Sequence, residues 1–127
     1  MVPERADAGS APAEFALVGA LLVLVFLALV QLALAVHVRD TLVASAAEGA
    51  RVAAQADRSL DDGVRRTREL IGEALSPAYA KRVTARRVLV DGAAVVEVEV
   101  RAPLPLVGLA GPAGDLVVDA HALLEPR

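Results

Sequence analysis

Cysteine and tryptophan are both absent from the 127 residues. Without cysteine there is no disulfide framework, no thiolate metal site and no cysteine nucleophile, and the compartment is not readable from redox chemistry. Aromatics are nearly missing too: Phe15, Phe26 and Tyr79 make up 2% of a chain that is 56% hydrophobic. The apolar content is therefore aliphatic and alanine-rich, and a core built from it is thin. No positive excess exists either. Lys and Arg total 13 against 16 acids, a net charge of −3, which excludes holding nucleic acid by counterion release. Arginine supplies all of that basicity except Lys81, a bias of GC-rich coding that carries no functional weight. The length gives room for one domain at most, since domains take ~100–200 residues, and so excludes a large enzyme.

Catalytic constellations are also lacking. His37 and His121 have no second ligand at metal spacing, and Ser10, Ser45, Ser59 and Ser76 stand outside any Gly-x-Ser-x-Gly setting. There is no phosphate-binding loop. The expectation is a non-enzyme with no cofactor, no metal and no small-molecule substrate.

What is present in quantity is one long apolar run. From Phe15 to Val36 only Gln31 is polar and Gly19 is the one other interruption. A helix over these residues is about 33 Å long at ~1.5 Å per residue, matching a hydrocarbon core of ~30 Å. A soluble domain would have to surround such a helix on every face, and the sequence after Val36 is too short for that. From His37 onward, 12 basic and 13 acidic residues mark ordinary water-exposed protein. Ala33-Leu34-Ala35 offers a signal-peptidase site, but the preceding region (Glu4, Arg5, Asp7, Glu14) is not basic and the run exceeds the ~7–15 residues of a signal core. Helix-favouring sequence also continues past that site to Ala56. Positive-inside counting is a near tie, with Arg5 and the amino group on one flank and Arg39 and Arg51 on the other.

Immediately before the run stands Gly9-Ser10-Ala11-Pro12-Ala13-Glu14-Phe15. A carboxylate at the bilayer centre costs ~2.5–3.5 kcal/mol and near its edge still asks for a partner. On a plain reading Glu14 lies in the first helical turn at headgroup level, where the macrodipole favours an acid and Pro12 loses no hydrogen bond. With the glycine, the arrangement resembles the processing site of type IV prepilins and pseudopilins. That resemblance implies cleavage between Gly9 and Ser10 by the membrane aspartyl protease of those systems, the prepilin peptidase, leaving Glu14 as the fifth mature residue. A new α-amino group then appears about one turn from the carboxylate, where one subunit's amine can neutralise a neighbour's Glu14. More closely, the chain resembles the TadE-like family of small pilus-assembly pseudopilins of tight-adherence systems. Gly9-Ser10 with Glu14-Phe15-Ala16-Leu17 carries the first part of the likeness, and Glu48-Gly49-Ala50-Arg51-Val52-Ala53-Ala54 the second.

The second motif has its own physical content. Ser45, Gly49 and Ala53 recur every four residues, as do Ala46, Ala50 and Ala54, so two adjacent stripes of the helix are nearly flat and allow close helix packing. Alanine bias produces similar stripes, but Gly49 costs ~0.8–1 kcal/mol against alanine in a helix interior.

Beyond the helix, Leu60 to Leu75 reads as amphipathic, with Ser59 and Asp62 as a cap and Ser76-Pro77 as the stop. Arg65, Arg66 and Arg68 read as a solvated face paired with nearby acids. Val83 to Val90 and Ala93 to Arg101 flank Asp91-Gly92, a two-residue type I′ hairpin signal. That register sets Arg86 opposite Glu97 and places Val83, Ala85 and Leu89 on one face with Val100, Val98 and Ala94. Arg87 falls on the apolar face beside Val96, its head snorkelling to water. Residues 104–112 are an apolar, punctuated loop suited to touching a partner or the bilayer surface, and Leu116 to Leu124 is a third strand.

The expected architecture is thus a membrane-anchored α+β protein: a leader over residues 1–9, a transmembrane and extended pilin-like helix over 10–56, and a small exported domain over 57–127. The resemblance implies a minor pseudopilin working with the bilayer, the prepilin peptidase, other pilin-like subunits and pilus-assembly membrane proteins. It implies a single-pass protein of the bacterial cell membrane, N-terminus cytoplasmic and C-terminal domain exported. A signal-anchored accessory subunit, or a small secreted binding protein cut after Ala35, are the competing readings.

Overall fold

The computed structural model describes residues 5–104 and 114–126. The elements run α1 (Arg5–Ala54), α2 (Leu60–Ala74), a short 3₁₀ helix (Pro77–Ala80), then β1 (Arg82–Val90), β2 (Ala93–Pro103) and β3 (Asp115–Leu123). The fold is α+β, with one long apolar helix, a second helix and a three-stranded antiparallel sheet of order β1-β2-β3. Residues 1–4 of the expected leader 1–9, and most of the apolar loop, residues 105–112, lie outside the described residues.

The chain divides into two compact units, Met1–Leu34 and Ala35–Arg127. In the first, α1 already runs from Arg5, so Pro12 lies inside the helix and not in its first turn. The cause is local composition: Ala6, Ala8, Ala11 and Ala13 are strong helix formers, and no β-branched residue or further proline interrupts them. Pro12 still cannot donate to the carbonyl four residues back, a defect that would vanish if the helix began at Ser10.

The second unit begins with the last turns of α1. Val38, Leu42, Ser45, Ala46, Ala50, Ala53 and Ala54 are buried there. With Ile71 of α2, Val83 of β1, Val96, Val98, Val100 and Ala102 of β2 and Val118 of β3 they form one core. Each fully buried Leu, Ile or Val contributes ~1.5–3 kcal/mol of apolar transfer. Tyr79 packs at the margin of this core as its one aromatic among the described residues, and the backbones approach closely where α1 crosses α2.

Helix α2 starts at a capping box: the Ser59 hydroxyl accepts from the Asp62 N–H at 3.2 Å, and the Asp62 carboxylate accepts from the Ser59 N–H at 2.9 Å. The Ser59 N–H foremost, then the Ser59 hydroxyl, which donates to the same carboxylate at 3.0 Å, and Arg65 hold the Asp62 carboxyl below its ordinary value. Leu75 caps the other end, its N–H bonding the Ile71 carbonyl at 2.9 Å. Ser76 then opens the 3₁₀ turn, accepting from the Ala78 N–H at 3.1 Å.

The hairpin turns at Asp91 and Gly92 with φ of 50° and 82°, both positive as a type I′ turn requires. Its register sets Val90 opposite Ala93, Arg86 opposite Glu97 and Arg87 opposite Val96, as the sequence pattern indicates. Core residues therefore occupy one face of the sheet, while Arg82, Thr84, Arg86, Glu97, Glu99, Arg101, Asp115, Asp119 and His121 line the other. The carboxyl-terminal tail returns to α1: the Glu125 N–H bonds the Ala54 carbonyl at 3.0 Å, and the Ala56 N–H reaches the Glu125 carboxylate at 3.4 Å.

Candidate functional site: the amino-terminal helix and its small-residue crossing

Gly9, Ser10, Glu14 and Phe15 all lie on α1 and all are exposed. A side-chain carbon added at Gly9 would meet nothing within 4 Å, so no packing demand of this fold accounts for the glycine. Ser10 and Glu14 are four residues apart on a continuous helix and share one face. An amino group created at Ser10 would stand one turn, ~6 Å along the axis, from the Glu14 backbone.

The apolar run behind Glu14 is uncovered. Phe15 is 81% and Phe26 64% exposed, and the leucines and valines between them are exposed as well. One helix among the described residues is long and apolar enough to cross a membrane; its most apolar window has mean hydropathy 2.9 and none of it is buried. An uncovered apolar surface of that extent is ordinarily met by lipid or another protein.

Ser45, Gly49, Ala50 and Ala53 have a different setting: they are buried inside the second unit. Gly49 faces α2 so closely that an added side-chain carbon would fall 1.8 Å from the Thr67 hydroxyl and 2.7 Å from the Gly63 carbonyl. On the opposing helix, a carbon added at Gly63 would meet the Ala53 methyl and the Gly49 carbonyl, each at 2.6 Å. The two glycines thus bring the backbones of α1 and α2 into contact. Thr67, fully buried, donates its hydroxyl to the Gly63 carbonyl at 2.9 Å. Ser45 likewise bonds back to the Thr41 carbonyl at 2.8 Å, so neither buried hydroxyl is left unsatisfied. Glu48 and Arg51 of the same motif pair with each other at 3.1 Å on the exposed side.

Sequence reasoning locates the flat stripes but not their partner, because Gly63 sits in an otherwise ordinary amphipathic pattern. It also leaves His121 as a plain strand residue. In the fold, His121 Nε2 lies 2.9 Å from Glu97 and Nδ1 lies 3.5 Å from Asp119. Glu97, whose side chain is only 12% exposed, also accepts from Arg86 Nε at 2.6 Å. Partial burial pushes the Glu97 carboxyl up, but the hydrogen bonds from Arg86 and His121 outweigh it and hold the group below its ordinary value. Arg82 reaches Asp115 at 2.8 Å, which lowers the Asp115 carboxyl and raises the guanidinium. A recess of about 320 Å³ at the α1–α2 corner is lined by Val52, Gln55, Arg58, Asp62, Arg65, Arg66 and Glu69. Arg65 is engaged by Asp62 and Arg66 by Glu69 at 3.6 Å, the paired, solvated arrangement expected of these two members of the arginine cluster.

These features define an α+β protein with a single candidate membrane span followed by a compact unit. Over residues 9–51 the chain is similar to the family described as TadE-like protein. The match takes in both motifs as far as Arg51, about a third of the chain. No curated protein and no solved structure matches the chain.

Proposed function

We propose that this protein is a minor pseudopilin-like component in the assembly of a tight-adherence pilus or a related secretion apparatus. The observation that carries this reading is the placement of Gly9 on an exposed helix, with no packing reason to be glycine, one turn before an acid that opens an uncovered apolar span. The family match over residues 9–51 points in the same direction. In this reading prepilin peptidase cuts between Gly9 and Ser10 from the cytoplasmic side. The span stays in the bacterial cell membrane, and the unit carrying the sheet is exported.

Glycine at the scissile bond lets the protease approach the backbone closely. After the cut, Pro12 becomes the third residue of the helix, where its missing N–H costs nothing. The new amine at Ser10 and the Glu14 carboxylate then supply complementary charge for neighbouring pilin-like subunits inside the membrane. The protein acts structurally and not as an enzyme; its own chemistry is to be a protease substrate.

Gly9→Leu tests the reading. In a host with its own peptidase this variant accumulates as the longer precursor in the membrane, while the parent is shortened. Undiminished maturation of Gly9→Leu overturns the assignment.

A further inference from the structure

The sheet has two open edges of opposite sign. β1 and β3 are each paired only with β2, and each runs antiparallel to it, so they are parallel to one another and equal in length at 9 residues. Among the described residues no further strand covers either edge. Arg82, Arg86 and Arg87, preceded by Lys81, make β1 basic with no acid among them; β3 carries Asp115 and Asp119. Unpaired edges of this length are templates for strand addition.

We infer that β3 of one copy of this chain pairs in parallel with β1 of a second copy, extending the sheet from molecule to molecule. On the solvent face the side chains agree at a single register. Setting Asp119 beside the neighbour's Arg86 also sets Asp115 beside its Arg82, Val117 beside its Thr84 and Leu123 beside its Val90. Leu123 is 70% and Val90 45% exposed in one copy, so this contact covers apolar surface that the fold leaves in water. Within one sheet Arg82 shares its row with Arg101 and Val117. The intermolecular register therefore slides by two residues from that row, which keeps every side chain on its own face.

Charge selects the partner edge. Two β1 edges would bring arginines together and two β3 edges aspartates, and like charges directly opposed are destabilising. Arg82 already takes Asp115 of its own sheet, so at that level the contact exchanges one carboxylate for another. Arg86 is likewise held by Glu97 and Asp119 stands beside His121, so the charged contacts share partners already engaged, and the wholly new contact is Leu123 with Val90. Because the two edges differ, the contact is head-to-tail and does not close on itself. Successive copies are related by a screw operation whose rotation is the accumulated twist of the strands between them. The inference rests on the edges alone and does not require cleavage at Gly9.

The absence of cysteine gives a clean background for the test. Thr84→Cys and Val117→Cys meet at this register and leave every charge in place; within one copy β2 separates them by two strand spacings, ~10 Å, too far for a disulfide. In membranes holding the full chain, mild oxidation of co-expressed Thr84→Cys and Val117→Cys gives a crosslinked dimer. Both changes in one chain give a ladder of higher species, and Asp119→Lys in that chain abolishes it. The same ladder forms when Gly9→Leu is added, which separates this contact from the processing reading. Dimers from Thr84→Cys alone at the level of the mixture would mean symmetric pairing of β1 edges and overturn the inference. So would crosslinking no greater than that of the off-register pair Val88→Cys with Val117→Cys.

Discussion

Gly49→Ala sets two effects of opposite sign against each other at one position. In a helix interior alanine is favoured over glycine by ~0.8–1 kcal/mol, and an isolated helix would gain that amount. Here the added methyl would lie 1.8 Å from the Thr67 hydroxyl, 2.7 Å from the Gly63 carbonyl and 3.1 Å from the Thr67 side-chain β-carbon. The carbonyl belongs to the α2 backbone, so relief requires the helices to part or Thr67 to leave its rotamer and its bond to Gly63. Overpacking of this kind costs ~1–3 kcal/mol and sometimes more. With backbone as well as side chain in the way the cost falls in the upper part of that range, leaving a net loss of roughly 1–2 kcal/mol, or ~4–15 °C for a compact unit of about 90 residues.

Gly72 on the same α2 helix is the internal control. An added carbon there meets nothing within 4 Å, so Gly72→Ala is neutral or stabilising by up to ~1 kcal/mol. Adding Thr67→Ala to Gly49→Ala removes the shortest contact but leaves the carbonyl. The pair then shows a favourable coupling of ~0.5–3 kcal/mol, since the residues touch. Thermal unfolding of the full chain in detergent, followed by circular dichroism and by protease resistance of the compact unit, reads all five proteins, the Thr67→Ala single variant included. A Gly49→Ala protein melting at or above the parent would refute the close-crossing argument.

Three other outcomes are expected, the first two from the proposed function and the third from the structure. Glu14→Gln changes little if the acid only faces the helix dipole, an effect of ~0.3–1 kcal/mol; as an assembly carboxylate its loss leaves a neighbour's amine unpaired, at ~3–5 kcal/mol. The expected result is normal insertion and maturation with loss of crosslinking to pilin-like partners, and parental crosslinking would reduce Glu14 to a helix-start residue. If the proposed orientation holds, a periplasm-active reporter fused after Arg127 is active, whereas activity of a cytoplasm-only reporter there would reverse it. Asp62, Glu97 and Asp115 all titrate below their ordinary values of 3.8 or 4.5. Their contribution is therefore fully present above ~5 and is lost as pH falls through the lowered values. Unfolding midpoints should hold down to about pH 5 and drop below about pH 4, and stability that rises on acidification through that window would contradict the assignment of these pairs.

Local chemistry made much of the fold legible. Asp91-Gly92 dictates a turn with two positive φ values, and that turn fixes the pairing of Arg86 with Glu97 and the exposure of Arg87. Ser59 and Asp62 announce the start of α2 three residues apart, and the proline after Ser76 ends the helical pattern. The start of α1 was harder to read, because a proline draws a boundary to itself while the alanines on both sides carry the helix through it. Contacts between residues distant in sequence left no local trace: Gly63 against Gly49, the Glu125 tail on the end of α1, and His121 between Glu97 and Asp119. The amino-terminal motifs differ again. Gly9 meets no neighbour and Glu14 is exposed in the fold, so packing assigns them nothing and their reading as a processing site comes through family likeness.

The mature amino terminus tests the central claim most directly. Intact-mass measurement of the protein purified from its native membrane should give a chain beginning at Ser10. A chain beginning at Met1 or Val2 would make the span a plain signal anchor, one beginning at Val36 would make the protein a secreted fragment, and either would contradict the pseudopilin account.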